Sequence, residues 1–170
     1  MKKILTFAAV ISALAFTFSS CGGSEESNTK TIKAEQVKFE YGELAKYLEV
    51  ANKEATLSWS EDEHSQSFKL EVELKLKKEV RMIEGLDAYD FDFIRLLCVA
   101  NIELLNDKGE EVIDLSIDDS LPLKELLLGK AGDTKVIVFE GKFHNSEDAP
   151  GWFKNSVKFK PGGTADIQLN

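Results

Sequence analysis

Within the segment Gln66 to Val80 apolar and polar residues alternate strictly, with Phe68, Leu70, Val72, Leu74 and Leu76 separated by Lys69, Glu71, Glu73, Lys75 and Lys77 in the stretch from Phe68 to Lys77. Successive side chains of a strand point to opposite faces, so a period of two predicts a strand with one apolar and one charged face. An antiparallel sheet with one wet face reads this way, and the charged ladder is its solvated surface. Ahead of this segment Ala55 to Trp59 alternates in the same manner, and Tyr47 to Val50 predicts a shorter strand after which Asn52-Lys53 turns the chain. Trp59 is then a core anchor that fills the space between two sheets, a reading favoured over stacking on a ligand.

Further along, the even positions Ile94, Leu96, Cys98, Ala100, Ile102 and Leu104 are all apolar. The odd positions change from Leu97 and Val99 to Asn101 and Glu103, which predicts a strand covered on both faces at its start. Asn106-Asp107-Lys108-Gly109 supplies a turn with a glycine for a positive φ, and Val112 to Ile117 returns as a strand to complete a hairpin. Leu121 to Leu128, with Pro122 near its start and Gly129 at its end, fits either a short helix or a crossover. Thr134 to Phe143 is β again, with Val136 to Phe139 as a fully buried run and Gly141 as a candidate bulge. Ser146 to Ser156 reads as a turn or single helical turn, and Val157 to Lys160 and Ala165 to Leu169 as terminal strands.

About seven short strands without sustained helical periodicity predict an all-β protein of two packed antiparallel sheets. The layout of Tyr47 to Ala51, the long alternating strand, the Ile102 to Glu110 strand and turn, and Val136 to Phe139 resembles small immunoglobulin-like domains of bacterial lipoproteins. The resemblance covers most of residues 44 to 145. It implies an immunoglobulin-like antiparallel β-sandwich over residues 44–170, with one or two short helical turns, that binds or spaces rather than catalyses.

The first 20 residues carry the parts of an export signal: Lys2 and Lys3, an apolar stretch from Ile4 to Phe18, and the small residues Ser19 and Ser20 before Cys21. A helix crossing the membrane needs about 20 apolar residues, more than this stretch offers, so cleavage is expected. Phe18-Ser19-Ser20-Cys21 resembles the lipobox of bacterial lipoproteins, with Phe18 where leucine is usual. That resemblance implies a lipid on Cys21, which becomes the new N-terminus and fastens an outer-membrane lipoprotein in the cell envelope. Residues 21–43 then form a flexible acidic tether and lead-in. Within it Ser24-Glu25-Glu26 resembles the acidic signal of lipoproteins carried to the cell surface, and an ordinary acidic linker is the alternative.

Removing the leader takes away two lysines and no acid, so the formal charge of −9 becomes −11. Such a surface repels nucleic acid. With Cys21 lipidated, Cys98 has no partner for a disulfide and reads as a small buried apolar residue. His64 and His144 have no neighbouring Cys or His at metal-ligand spacing, and Asp87, Asp90, Asp92, Asp118 and Asp119 do not follow an EF-hand pattern. No Gly-x-Ser-x-Gly elbow and no phosphate-cradling loop is present, so neither a catalytic set, a metal nor a cofactor is expected. Tyr89, Phe91, Trp152 and Phe153 are the candidate ligand-binding residues, as a stacking platform, against the favoured alternative that they plug the open end of the core. The expectation is a non-catalytic envelope lipoprotein that binds a protein or glycan; the alternatives are an envelope enzyme or inhibitor, or a structural spacer.

Overall fold

The computed structural model describes residues 28–39, 44–80, 101–144 and 146–162. Four strands come from the earlier part of the chain, β1 (Thr29–Ala34), β2 (Leu48–Val50), β3 (Glu54–Glu61) and β4 (Ser65–Leu76), with a single helical turn α1 (Leu44–Tyr47) before β2. Four more come from the later part, β5 (Asn101–Leu105), β6 (Glu111–Ile117), β7 (Thr134–His144) and β8 (Lys158–Pro161). Helix α2 (Ser120–Leu127) follows β6, and α3 (Ala149–Asn155) follows β7.

Hydrogen-bonded neighbours run β4-β3-β1-β8-β5-β6-β7 and back to β4, which closes a seven-stranded barrel. Strand β2 continues the β3 side of β4, pairing Leu48 to Val50 with Leu76 to Leu74. The ring corrects the immunoglobulin-like sandwich: one sheet curls and closes on itself, and its β1–β8 pair is parallel whereas the others are antiparallel. The physical reason is that period two reports only that each strand has one buried face. Both a sandwich and a barrel satisfy it, and the pairings that separate them join residues far apart in sequence. Thr29–Ala34, assigned to the lead-in by composition, is a strand of this ring.

Local chemistry sets the tight turns. Between β3 and β4 the Asp62 carboxylate accepts from the backbone N–H groups of His64 at 2.8 Å and Ser65 at 2.7 Å, and from the Ser65 hydroxyl at 2.9 Å. Between β5 and β6 the Asn106 side chain accepts from the N–H groups of Lys108 and Glu110, and Gly109 takes a φ of 82° that favours glycine. The strand irregularity falls here, between Leu104 and Leu105, and two successive leucines are buried at it.

Inside the ring, Leu57, Phe68, Leu70, Val72, Leu74, Leu76, Ile102, Leu104, Leu115, Ile137, Phe139 and Phe159 are inaccessible to solvent. The run Val136 to Phe139 is corrected by β7 itself: Ile137 and Phe139 point inward, while Val136 is 51% exposed on the outer wall. Gly141 is not at a bulge either, because the β4–β7 register runs unbroken from Ser65↔His144 to Lys75↔Thr134. Its role is close approach: a Cβ there would stand 2.8 Å from Leu115 Cδ2 and 3.0 Å from the Phe143 ring. Gly141→Ala is therefore expected to overpack the barrel where β6 meets β7 and to cost about 1–3 kcal/mol, read as a lowered urea midpoint at constant slope.

The two ends of the barrel are covered differently. Helix α2 begins at an Asp119 N-cap whose carboxylate accepts from the N–H of Leu121, and buries Leu123, Leu126 and Leu127 in the core. The segment after it is bonded to the end of β4 through Gly132 N–H to the Leu76 carbonyl and Leu76 N–H to the Asp133 carbonyl. Helix α3, with Pro150 in its first turn, buries Ala149 and lays Trp152 and Phe153 against the core at the other end. Cys21, Tyr89, Phe91, Cys98, Asp87, Asp90, Asp92 and the segment Ala165 to Leu169 lie outside the described residues.

Candidate functional site

Five aromatic rings meet where β3 ends, β4 begins and β7 ends. Phe68 is at their centre, with ring centroids 6.5 Å from Trp59, 5.8 Å from Phe143 and 6.4 Å from Trp152. Trp152 also meets Phe143 edge-on at 5.1 Å, and Phe153 lies 5.9 Å from Trp59. Alternation aims Trp59, Phe68 and Phe143 inward, and the single face of α3 supplies the other two. Of the four aromatic candidates, the fold thus brings together Trp152 and Phe153, both half-buried in one cluster.

Lys30 closes this end from β1. Its ammonium lies 4.6 Å over the Phe153 ring, donates to the Phe153 carbonyl and reaches the Lys154 carbonyl at 3.2 Å. A cation is favoured at the exposed carbonyls of a helix C-terminus, and partial burial lowers this amine's pKa. One face of Phe153 is thereby occupied, and the arrangement is that of a plug. Gln66 adds a second tie: it is the buried polar member of the inward row of β4. Its amide donates to Glu61 Oε1 at 2.9 Å, and its carbonyl oxygen accepts from the N–H of Ser146 at 2.9 Å. Sequence reading missed both residues. Gln66 carried a signal, since it breaks an otherwise apolar alternate row, whereas the Lys30 contact spans the whole fold and carried none.

The outer wall is where charge concentrates. A shallow concavity of about 450 Å³ between β1, β3, β4 and β7 is lined by Thr31, Asn52, Glu54, Thr56, Glu71, Glu73 and Val136. Nearby, Glu140 is almost buried between Lys142 at 2.9 Å and Lys69 at 3.4 Å. Burial pushes its pKa up, but hydrogen bonds with Lys142 and Asp118 and the charge of Lys69 outweigh that and hold it below the usual range. Glu140 thus bridges two cations on the outer wall. Among the described residues no group of three or more His, Cys, Asp and Glu side chains is placed to hold a metal ion.

On the β5–β6 side the acids are less well paired. Partial desolvation and then the charge of Glu103 raise the pKa of Asp114, against the opposing pull of Lys160. Asp114 in turn is the main cause of the raised pKa of Glu111. A carboxyl whose pKa is raised by folding stabilises the fold while protonated and loses that contribution as pH rises through its folded value. Asp114→Asn is therefore expected to raise the melting temperature at pH 7 and to leave it nearly unchanged near pH 3, as two thermal melts would show.

No family model matches this chain, and neither a curated protein nor a solved structure matches it.

Proposed function

We propose that this protein is a non-catalytic lipoprotein of the cell envelope, held to the outer membrane through lipid on Cys21, and that its barrel binds a partner with its outer surface. The observation that carries the reading is the filled interior, in which the buried apolar side chains from Leu57 and Phe68 to Phe159 form one cluster. In a barrel of this width side chains are enough to fill the lumen. Recognition then falls to the wall and the ends. Because Lys30 covers a face of Phe153, the aromatic end is poorly suited to stack on a sugar, which favours a protein partner over a glycan.

The leader supports the address. Cys21→Ser is expected to move the protein from the membrane fraction to the soluble one, since a domain of formal charge −11 has little other hold on an anionic bilayer. Intact mass of the membrane-bound protein checks it directly, and an unmodified Cys21 there would overturn the anchor. Purification from detergent-solubilised envelope checks the partner: a stoichiometric companion protein supports binding, and a lone barrel argues against it.

A further inference from the structure

One stretch of the outer wall departs from regular pairing. Val50 lies opposite Leu74 and Thr56 opposite Glu71, so the chain advances six residues while β4 advances three, and three residues bow outward. The Asn52 side chain accepts from the N–H of Glu54 at 3.1 Å and holds this bow, which closes one side of the concavity of about 450 Å³. Glu71 and Glu73 line the hollow from β4, with Val136 half-exposed beside them. Register sets each glutamate next to a valine, Glu71 by Val138 and Glu73 by Val136.

Elsewhere on the wall acids face lysines: Glu49 lies 3.5 Å from Lys75, Glu103 2.7 Å from Lys160 and Glu35 2.8 Å from Lys158. Among the described residues no ion pair reaches Glu54, Glu71 or Glu73. The flanking cations on the same face of β4, Lys69 and Lys75, are engaged by Glu140 and Glu49, and Lys33 stands opposite Glu54 without an ion pair to it. The hollow therefore presents negative charge that the wall itself does not neutralise. Its carboxylates do not converge on one point, since among the described residues no group of three is placed to hold a metal ion. Small-molecule sites are mostly apolar and enclose their ligand, whereas this hollow is shallow and lined by Thr31, Asn52, Thr56 and the three glutamates.

We infer that this concave part of the wall, across β3, β4 and β7, docks an extended segment of a partner protein that carries lysine or arginine at alternate positions. Glu71 and Glu73 stand two residues apart on one strand, about 7 Å, which is also the spacing of alternate side chains in an extended segment. A lysine or arginine there lays its methylene stem on the valine and brings its charge to the neighbouring carboxylate. A second copy of the chain fits poorly, because its formal charge of −9 makes copies repel. Its own alternate pair on β8, Lys158 and Lys160, is moreover held by Glu35 and Glu103. The inference rests on the proposed binding role, and adds the surface and the chemistry of the partner.

The test uses the full chain in non-ionic detergent and a fluorescein-labelled heptapeptide in which three arginines alternate with threonines, read by fluorescence anisotropy. Saturable binding is expected, weakened about tenfold or more by Glu71→Gln/Glu73→Gln and less than about twofold by Glu63→Gln/Glu147→Gln, which removes the same charge from exposed positions elsewhere. Both variants should keep the melting temperature of the unaltered chain. Equal losses from the two variants would mean that the peptide reads net charge alone, and equal affinity for an isomer with its three arginines adjacent would remove the extended register; either overturns the inference, as does the absence of saturable binding. Self-association of the unaltered chain that Glu71→Gln/Glu73→Gln abolishes makes a second copy the occupant and also overturns it. Recovery of a companion protein from solubilised envelope separates this failure from that of the binding role. A companion undiminished by Glu71→Gln/Glu73→Gln moves the contact off this wall and leaves the role standing, whereas a lone barrel defeats the role itself.

Discussion

Leu70→Asp is expected to unfold the barrel. Leu70 is inaccessible in the middle of β4, and its neighbours across the two adjoining strands are Leu57 and Phe139, both equally buried. A carboxylate there meets no donor and no cation. Burying it unpaired costs several kcal/mol, or forces it to take up a proton, and either outcome approaches the whole stability of about 5–15 kcal/mol usual for a domain. The choice of position matters: Leu70 faces buried apolar residues on both sides, whereas Leu74 lies across from Lys135, a cation paired with Glu125. Glu71→Lys, one residue along on the outer wall, is expected to cost less than about 1 kcal/mol. Circular dichroism melts of the two variants decide the matter, and similar melting temperatures would mean that the two faces of β4 had been exchanged.

Phe68→Ala should come next in severity. Removing the central ring of the aromatic cluster leaves a cavity that neither β3 nor α3 is free to close, because Trp59 and Trp152 are each held by a second aromatic neighbour. Large-to-small replacements of buried aromatics cost about 3–5 kcal/mol, and lost ring contacts add to this. The protein has two tryptophans, and both pack on Phe68, so intrinsic fluorescence reports this end of the barrel alone. A red-shifted emission together with a lowered denaturant midpoint is expected. An unshifted spectrum with a loss under about 1 kcal/mol would show that the cluster is not a packed plug.

Much of the local structure was legible. The alternation from Phe68 to Leu76 became β4 with the inward row as read, and Asn106 to Gly109 became the β5–β6 turn, because both depend on residues close in sequence. What failed to show was closure. Nothing in Thr29–Ala34 announces that it will pair in parallel with Lys158 and Phe159, and the short β6–β7 contact rests on two residue pairs. Val136 misled for a related reason, since an apolar side chain on the wet wall of a strand turns an alternating pattern into an apparently buried run. At the candidate site Trp152 and Phe153 were visible as aromatics, but the cation over Phe153 comes from the other end of the chain.

The ring is made of two arcs, one contributed by β1 to β4 and the other by β5 to β8, and they meet at only two seams, β4–β7 and β1–β8. The second seam joins the first strand to the last described one, so a growing chain cannot complete the circle before residues 158–161 are available. Such long-range pairing is slow to form because the loop entropy must be overcome before the contacts can compensate. On the proposed export route, in which the chain crosses a membrane unfolded, late closure is useful: every length short of residues 158–161 stays an open, unfinished arc.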